Sequence, residues 1–123
     1  MNSAQRTVLV VDDDSQILGL VIKMLRPQGV TVLSANRPSE AWRICEAQPI
    51  HILISDVVMP EMDGPTLLKE LRRRNPNVKV IFVSGYAEEA FSKNLPDREQ
   101  YEFLAKPFTL KQLVSKVKET LPA

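Results

Sequence analysis

Ile50-His51-Ile52-Leu53-Ile54-Ser55-Asp56-Val57-Val58-Met59-Pro60-Glu61-Met62-Asp63-Gly64 is the stretch whose reading decides the fold. It opens as an apolar, β-branched run, which predicts a buried strand over 50–55. It then delivers a carboxylate, Asp56, just past the strand. In parallel α/β sheets, ligands bind at the edge onto which the strand C-ends open. A second run of the same kind, Thr7-Val8-Leu9-Val10-Val11, leads into Asp12-Asp13-Asp14. Two acidic clusters at two strand ends point to one shared site. A site of that charge needs a cation.

Outward from these two runs, apolar segments alternate with segments of helical period. Strands are predicted over 7–11, 30–35, 50–55, 78–83 and 101–105. Ile17, Leu18, Val21, Met24 and Leu25 make one helical stripe, ended by Pro27-Gln28-Gly29. A second helix covers 39–47, with Pro38 near its first turn and Ala41, Trp42 and Cys45 facing inward. Leu67, Leu68 and Leu71 mark a third helix, after an Asp63-Gly64-Pro65 turn and before Pro76. A fourth, short and weakly patterned, is expected around 87–93. The last carries Leu110, Leu113, Val114, Val117 and Leu121, with Thr109 as its N-cap. The expected fold is α/β, a doubly wound five-stranded parallel sheet built from five βα units with right-handed crossovers.

The 123 residues suit a single domain over 1–123, with its core at about 7–121 and no room left for an output domain. An apolar content of 44% is enough for a real core. The net charge of +1 gives no bulk case for nucleic acid or an acidic membrane. No apolar stretch approaches the roughly 20 residues that span a bilayer, and 1–6 does not read as a signal peptide. One cysteine, Cys45, cannot form an internal disulfide and reads as a small buried hydrophobe. The expected compartment is the cytoplasm. Arg72-Arg73-Arg74, at a helix C-terminus, reads as dipole complementarity on a solvated face.

Four features fall at strand ends: Asp12/Asp13/Asp14, Asp56, Ser84 and Lys106. Each has a bland reading. The acidic triplet could be an N-cap, Asp-Gly an ordinary turn, Ser84-Gly85 a helix start and Lys106-Pro107-Phe108 a loop. All four at the ends of strands 1, 3, 4 and 5 of one sheet are not expected by accident. The chemistry they suit is phosphoryl transfer onto a carboxylate. Mg²⁺ relieves the repulsion of packed carboxylates and acts as a Lewis acid. An Asp beside it can attack phosphorus and form an acyl phosphate. The Lys106 ammonium and the Ser84 hydroxyl can receive the charge on the transferring group's oxygens.

With Val10-Val11-Asp12-Asp13, Ser55-Asp56-Val57-Val58-Met59-Pro60-Glu61-Met62-Asp63-Gly64, Val83-Ser84-Gly85 and Lys106-Pro107-Phe108 in view, the chain resembles a response-regulator receiver domain. The likeness, to the chemotaxis-regulator, flavodoxin-like (βα)5 fold, runs from about Thr7 to Leu121. It implies that Asp56 is the phosphoacceptor. It implies that Asp12 and Asp13 hold Mg²⁺ together with Asp56 and the Val58 carbonyl. Ser84 would close on the phosphoryl group, Lys106 would pair with it, and Phe103 would be the aromatic switch. The Lys106-Pro107 bond is expected to be cis. Asp14 is an extra acid, read as an N-cap rather than a ligand. Phe103 stands where Tyr is common in the family and lacks a polar tip. Phosphorylation would then reshape the surface of the fourth helix, fifth strand and last helix by a population shift. Such a domain promotes its own phosphorylation and dephosphorylation and is not a turnover enzyme. Val58 and Tyr86 flank the path of attacking water in the family; neither offers a carboxylate or amide to orient water and both add bulk, so slow self-dephosphorylation is expected.

The stretches 63–68, 82–91 and 103–110 look especially like the C-terminal receivers of hybrid sensor histidine kinases, those of alphaproteobacterial cell-cycle control above all. The implied partners are a sensor histidine kinase and a histidine phosphotransfer protein, with no direct contact to nucleic acid or membrane. A free-standing single-domain regulator is the alternative. A Mg²⁺-dependent phosphatase of the haloacid dehalogenase type is a remote one. Asp12-Asp13-Asp14-Ser15-Gln16 supplies its two acids but has Gln16 at the signature's last position, and there is no cap domain.

Overall fold

The computed structural model describes residues 6–91, 95–97 and 100–121. Five strands, β1 (Thr7–Val11), β2 (Thr31–Ala35), β3 (Ile52–Asp56), β4 (Lys79–Ser84) and β5 (Glu102–Ala105), form one parallel sheet in the order β2-β1-β3-β4-β5. The α-helices among the described residues are α1 (Ser15–Leu25), α2 (Pro38–Ala47), α3 (Gly64–Arg72) and α4 (Leu110–Thr120).

Strand alternation explains the two layers. Leu9, Val11, Leu53, Val80 and Phe82 face Ala41 and Cys45 of α2 and Leu67, Leu68 and Leu71 of α3. Val8, Val10, Ile52, Ile54, Ile81 and Val83 face Leu18, Val21 and Leu25 of α1 and Leu113 and Val117 of α4. Both faces of the sheet are covered, so its strands read as unbroken apolar runs.

Local chemistry sets the helix starts. Asp14 accepts hydrogen bonds from the N–H groups of Gln16 and Ile17, as the N-cap reading required. Thr109 and Gln112 form a reciprocal capping box at α4. Asp63 accepts from Thr66 N–H, so Asp63-Gly64-Pro65 is the N-cap and first turn of α3 rather than a separate turn before it. Pro at an early helical position gives up an N–H that the helix does not use.

Two expectations need correction. The segment expected as a fourth α-helix at 87–93 forms a 3-10 turn at Glu88–Phe91, with 92–94 outside the described residues. It offers no apolar stripe to hold an α-helix on the sheet. Among its described residues, Phe91 is the one that packs against the α2/α3-side core, and it meets Tyr86 edge-on at 6.3 Å between ring centroids. The arginine run is not wholly on a solvated face. Arg72 is half-buried and donates to the Val78 and Gln100 carbonyls, tying the approaches to β4 and β5. Arg74 lies over the Trp42 ring and pairs with Glu46 at 3.2 Å.

Candidate functional site

The strand order puts β1 and β3 side by side and β4 next to β3. Val11 lies opposite Ser55, Asp56 opposite Val83 and Ser84 opposite Ala105. Asp12 follows β1, Asp56 ends β3, Ser84 ends β4 and Lys106 follows β5. One sheet edge therefore gathers all four.

Asp12 is buried, Asp56 half-buried and Asp13 exposed; one carboxylate oxygen from each lies within 4.8 Å of the others. Lys106 Nζ donates to Asp12 Oδ2 at 3.0 Å and to Asp56 Oδ2 at 2.8 Å. Asp12 Oδ1 accepts from Asp14 N–H, and Asp56 Oδ1 accepts from Val58 N–H at 3.1 Å. Burial pushes the Asp12 carboxyl above its ordinary range, against the opposing pull of the Asp14 N–H and Lys106. Burial also works against the Lys106 charge, but its hydrogen bonds to Asp56 and Asp12 outweigh it and raise the ammonium's pKa. Desolvation thus wins at Asp12, and the two carboxylates win at Lys106.

Three oxygens from three carboxylates this close make a donor set suited to a hard divalent cation such as Mg²⁺, which needs few protein ligands. Val58, two residues past Asp56, projects its side chain to solvent. Ser84 is buried, and its hydroxyl oxygen accepts from Tyr86 N–H at 2.9 Å; among the described residues no hydrogen bond joins it to Asp56. Phe103 is half-buried on β5, opposite Phe82 and packed against the α2/α3-side core. The Lys106-Pro107 peptide is cis.

Sequence reasoning missed the part played by Gly64. A Cβ there would stand 2.6 Å from the Asp56 carbonyl oxygen. Only glycine lets α3 start this close to the end of β3. The Asp-Gly pair was visible, but not which backbone it would approach.

A family model for the response regulator receiver domain matches residues 8–118, and the chain belongs to that family. It is 50% identical over 121 residues to the sensor kinase CckA of Brucella abortus, covering 97% of this chain but 13% of that kinase. It is 29% identical over 118 residues to the response regulator receiver protein CpdR of the same organism, covering 96% of this chain and 98% of CpdR. Among solved structures, the receiver domain of the hybrid histidine kinase CckA superposes with a TM-score of 0.80 at 36% identity, covering 94% of this chain and 99% of that one. Chemotaxis protein CheY4 of Vibrio cholerae gives 0.88 at 25% identity, covering 96% and 100%. The likeness to hybrid-kinase receivers read from the sequence is borne out by these relatives. No helix among the described residues is long and apolar enough to cross a membrane.

Proposed function

We propose that this chain takes a phosphoryl group from a phosphohistidine onto Asp56 in a two-component phosphorelay, as the receiver of a hybrid histidine kinase. The observation that carries the reading is Lys106 Nζ, held at once by Asp12 and Asp56 inside the three-carboxylate cluster. An Asp56 oxygen attacks phosphorus, and an O–P bond forms as the P–N bond to the donor imidazole breaks. The electron pair stays on the imidazole nitrogen. Lys106 is already in reach of Asp56 and turns its charge onto the phosphoryl oxygens. Ser84 uses its oxygen as an acceptor from Tyr86, so its own O–H proton is available to a phosphoryl oxygen. Asp12, Asp13, Asp56 and the Val58 carbonyl would hold Mg²⁺, which, when bound, neutralises the acid cluster and polarises the phosphoryl group.

Drawing Ser84 toward the phosphoryl group pulls on the segment that continues through Tyr86 to Phe91, and Phe103 turns into the space released. The segment 86–91, β5 and α4 are then the surface that changes for a partner such as a histidine phosphotransfer protein. The 50% identity to CckA favours the hybrid-kinase setting. The near-complete coverage of CpdR keeps a free-standing regulator as the second reading. Val58 and Tyr86 offer no carboxylate or amide to orient attacking water and both add bulk, so the acyl phosphate decays slowly; Val58→Asn is expected to shorten its lifetime, followed by loss of the adduct after the donor is removed.

The deciding experiment is intact mass after incubation with Mg²⁺ and acetyl phosphate. One added phosphoryl is expected on the wild type, dependent on Mg²⁺ and lost in Asp56→Asn. An adduct on Asp12 with turnover of phosphomonoesters would establish a phosphatase instead.

A further inference from the structure

Ser55 is fully buried on the α2/α3 face of β3, in the same row as Leu53 and Val57. A hydroxyl in an apolar layer needs a partner. Its Oγ donates to the Asp56 carbonyl at 2.9 Å. The other end of the same peptide is also held, because Val57 N–H donates to the Val83 carbonyl of β4 at 3.1 Å. Gly64 then closes over the unit, with its N–H donating to the Val57 carbonyl at 2.8 Å. The Asp56–Val57 peptide is therefore gripped at its oxygen and its nitrogen. It is also the link between the Asp56 side chain and Val58, whose N–H reaches back to Asp56 Oδ1.

We infer that Ser55 is a positioning residue for the acceptor site: its hydroxyl locks the Asp56–Val57 peptide and so sets the spacing between the Asp56 carboxylate and the Val58 carbonyl. The inference rests on the reading of those two groups as part of a Mg²⁺ site. Space alone does not account for the hydroxyl. The tight quarters beside Gly64 and Phe82 call for a small residue, and Ala or Cys meets that demand. What they lack is a strong donor for the Asp56 carbonyl. Without it, the peptide rotates more freely and the two oxygens no longer keep one separation.

The test is a Mg²⁺ titration of the unphosphorylated protein, followed by the amide signals of Asp13 and Val58, in wild type, Ser55→Ala and Ser55→Cys. Thermal unfolding is measured on each without metal. Affinity is expected to fall about 10-fold in both variants, the size seen when a group orienting a metal ligand is lost. Phosphorylation by acetyl phosphate is expected to recover most of its rate at saturating Mg²⁺. Ser55→Cys nearly keeps the shape of the side chain and decides the matter if Ser55→Ala loses the fold. Wild-type affinity in a folded donorless variant overturns the inference, as does a loss that only follows the drop in unfolding temperature. Failure of the wild type to accept a phosphoryl group on Asp56 would sink the proposed function instead, and the titration would still decide the role of Ser55.

Discussion

Lys106 and Asp12 are in contact, and the contact affects them unequally. The ammonium gains from two carboxylates; the buried Asp12 carboxylate loses more to desolvation than it recovers. Both groups have pKa values raised by folding, so each contributes stability that is whole below its unfolded value and lost as pH rises through its folded value. For Lys106 that loss falls above the ordinary 10.5, in alkali. For Asp12 it begins above the ordinary 3.8, so at neutral pH the ionised side chain is a burden on the metal-free fold. Asp12→Asn is therefore expected to raise metal-free stability at neutral pH and, on the proposed reading, to lose the increment that Mg²⁺ would add. The gain should shrink as pH falls toward the ordinary carboxylate range. Denaturant melts with and without Mg²⁺ at several pH values check both parts; a less stable Asp12→Asn protein at neutral pH would refute it. At this scale the sequence was most legible. Asp12, Asp13, Asp56 and Lys106 are named by residue type and strand-end position, and the sheet brings them together. Ser55 and Gly64 were not legible as parts of the site, because their contacts are with backbone, and no side-chain pattern announces them.

Elements were legible where a face had something to bury. β1, α1, α2, α3 and α4 lie within a residue or two of their expected places because each carries an apolar row or stripe matched to its period. The segment 87–93 has no such stripe, and its 3-10 turn depends on contacts from outside it. The Tyr101 hydroxyl, on a ring buried against Phe82 at 5.7 Å, donates to Glu88 and ties the turn to the start of β5. The start of α3 makes the opposite demand, since its first residue must have no side chain. Gly64→Ala would set a methyl 2.6 Å from the Asp56 carbonyl and 3.2 Å from Phe82 Cε1. Backbone cannot yield as a long side chain does, so α3 must back away. The expected loss is about 1–3 kcal/mol, read as a lower unfolding midpoint, together with weaker Mg²⁺ binding. An unchanged midpoint would mean that α3 shifts freely on β3.

For the molecule as a whole, the crossovers matter more than any one contact. All four strand pairings are parallel, so each joins segments separated by a connecting stretch of chain. Asp56, the proposed acceptor, ends β3, Lys106 follows β5, and Asp12 follows β1. No short fragment contains the site. In a denaturant series, the fraction of protein able to take phosphoryl from acetyl phosphate is expected to follow the far-UV unfolding curve point for point. Chemistry lost well before the fold would show instead that the β5 edge opens by itself.

The placement of Lys106 after the last strand also has a meaning in time. A ribosome releases Asp56 while the lysine that completes its surroundings is still to be translated, 50 residues later. On the proposed reading, a chain made only as far as β3 carries the acceptor but not the lysine that serves it. On that reading, the protein cannot report a signal until its synthesis has passed β5.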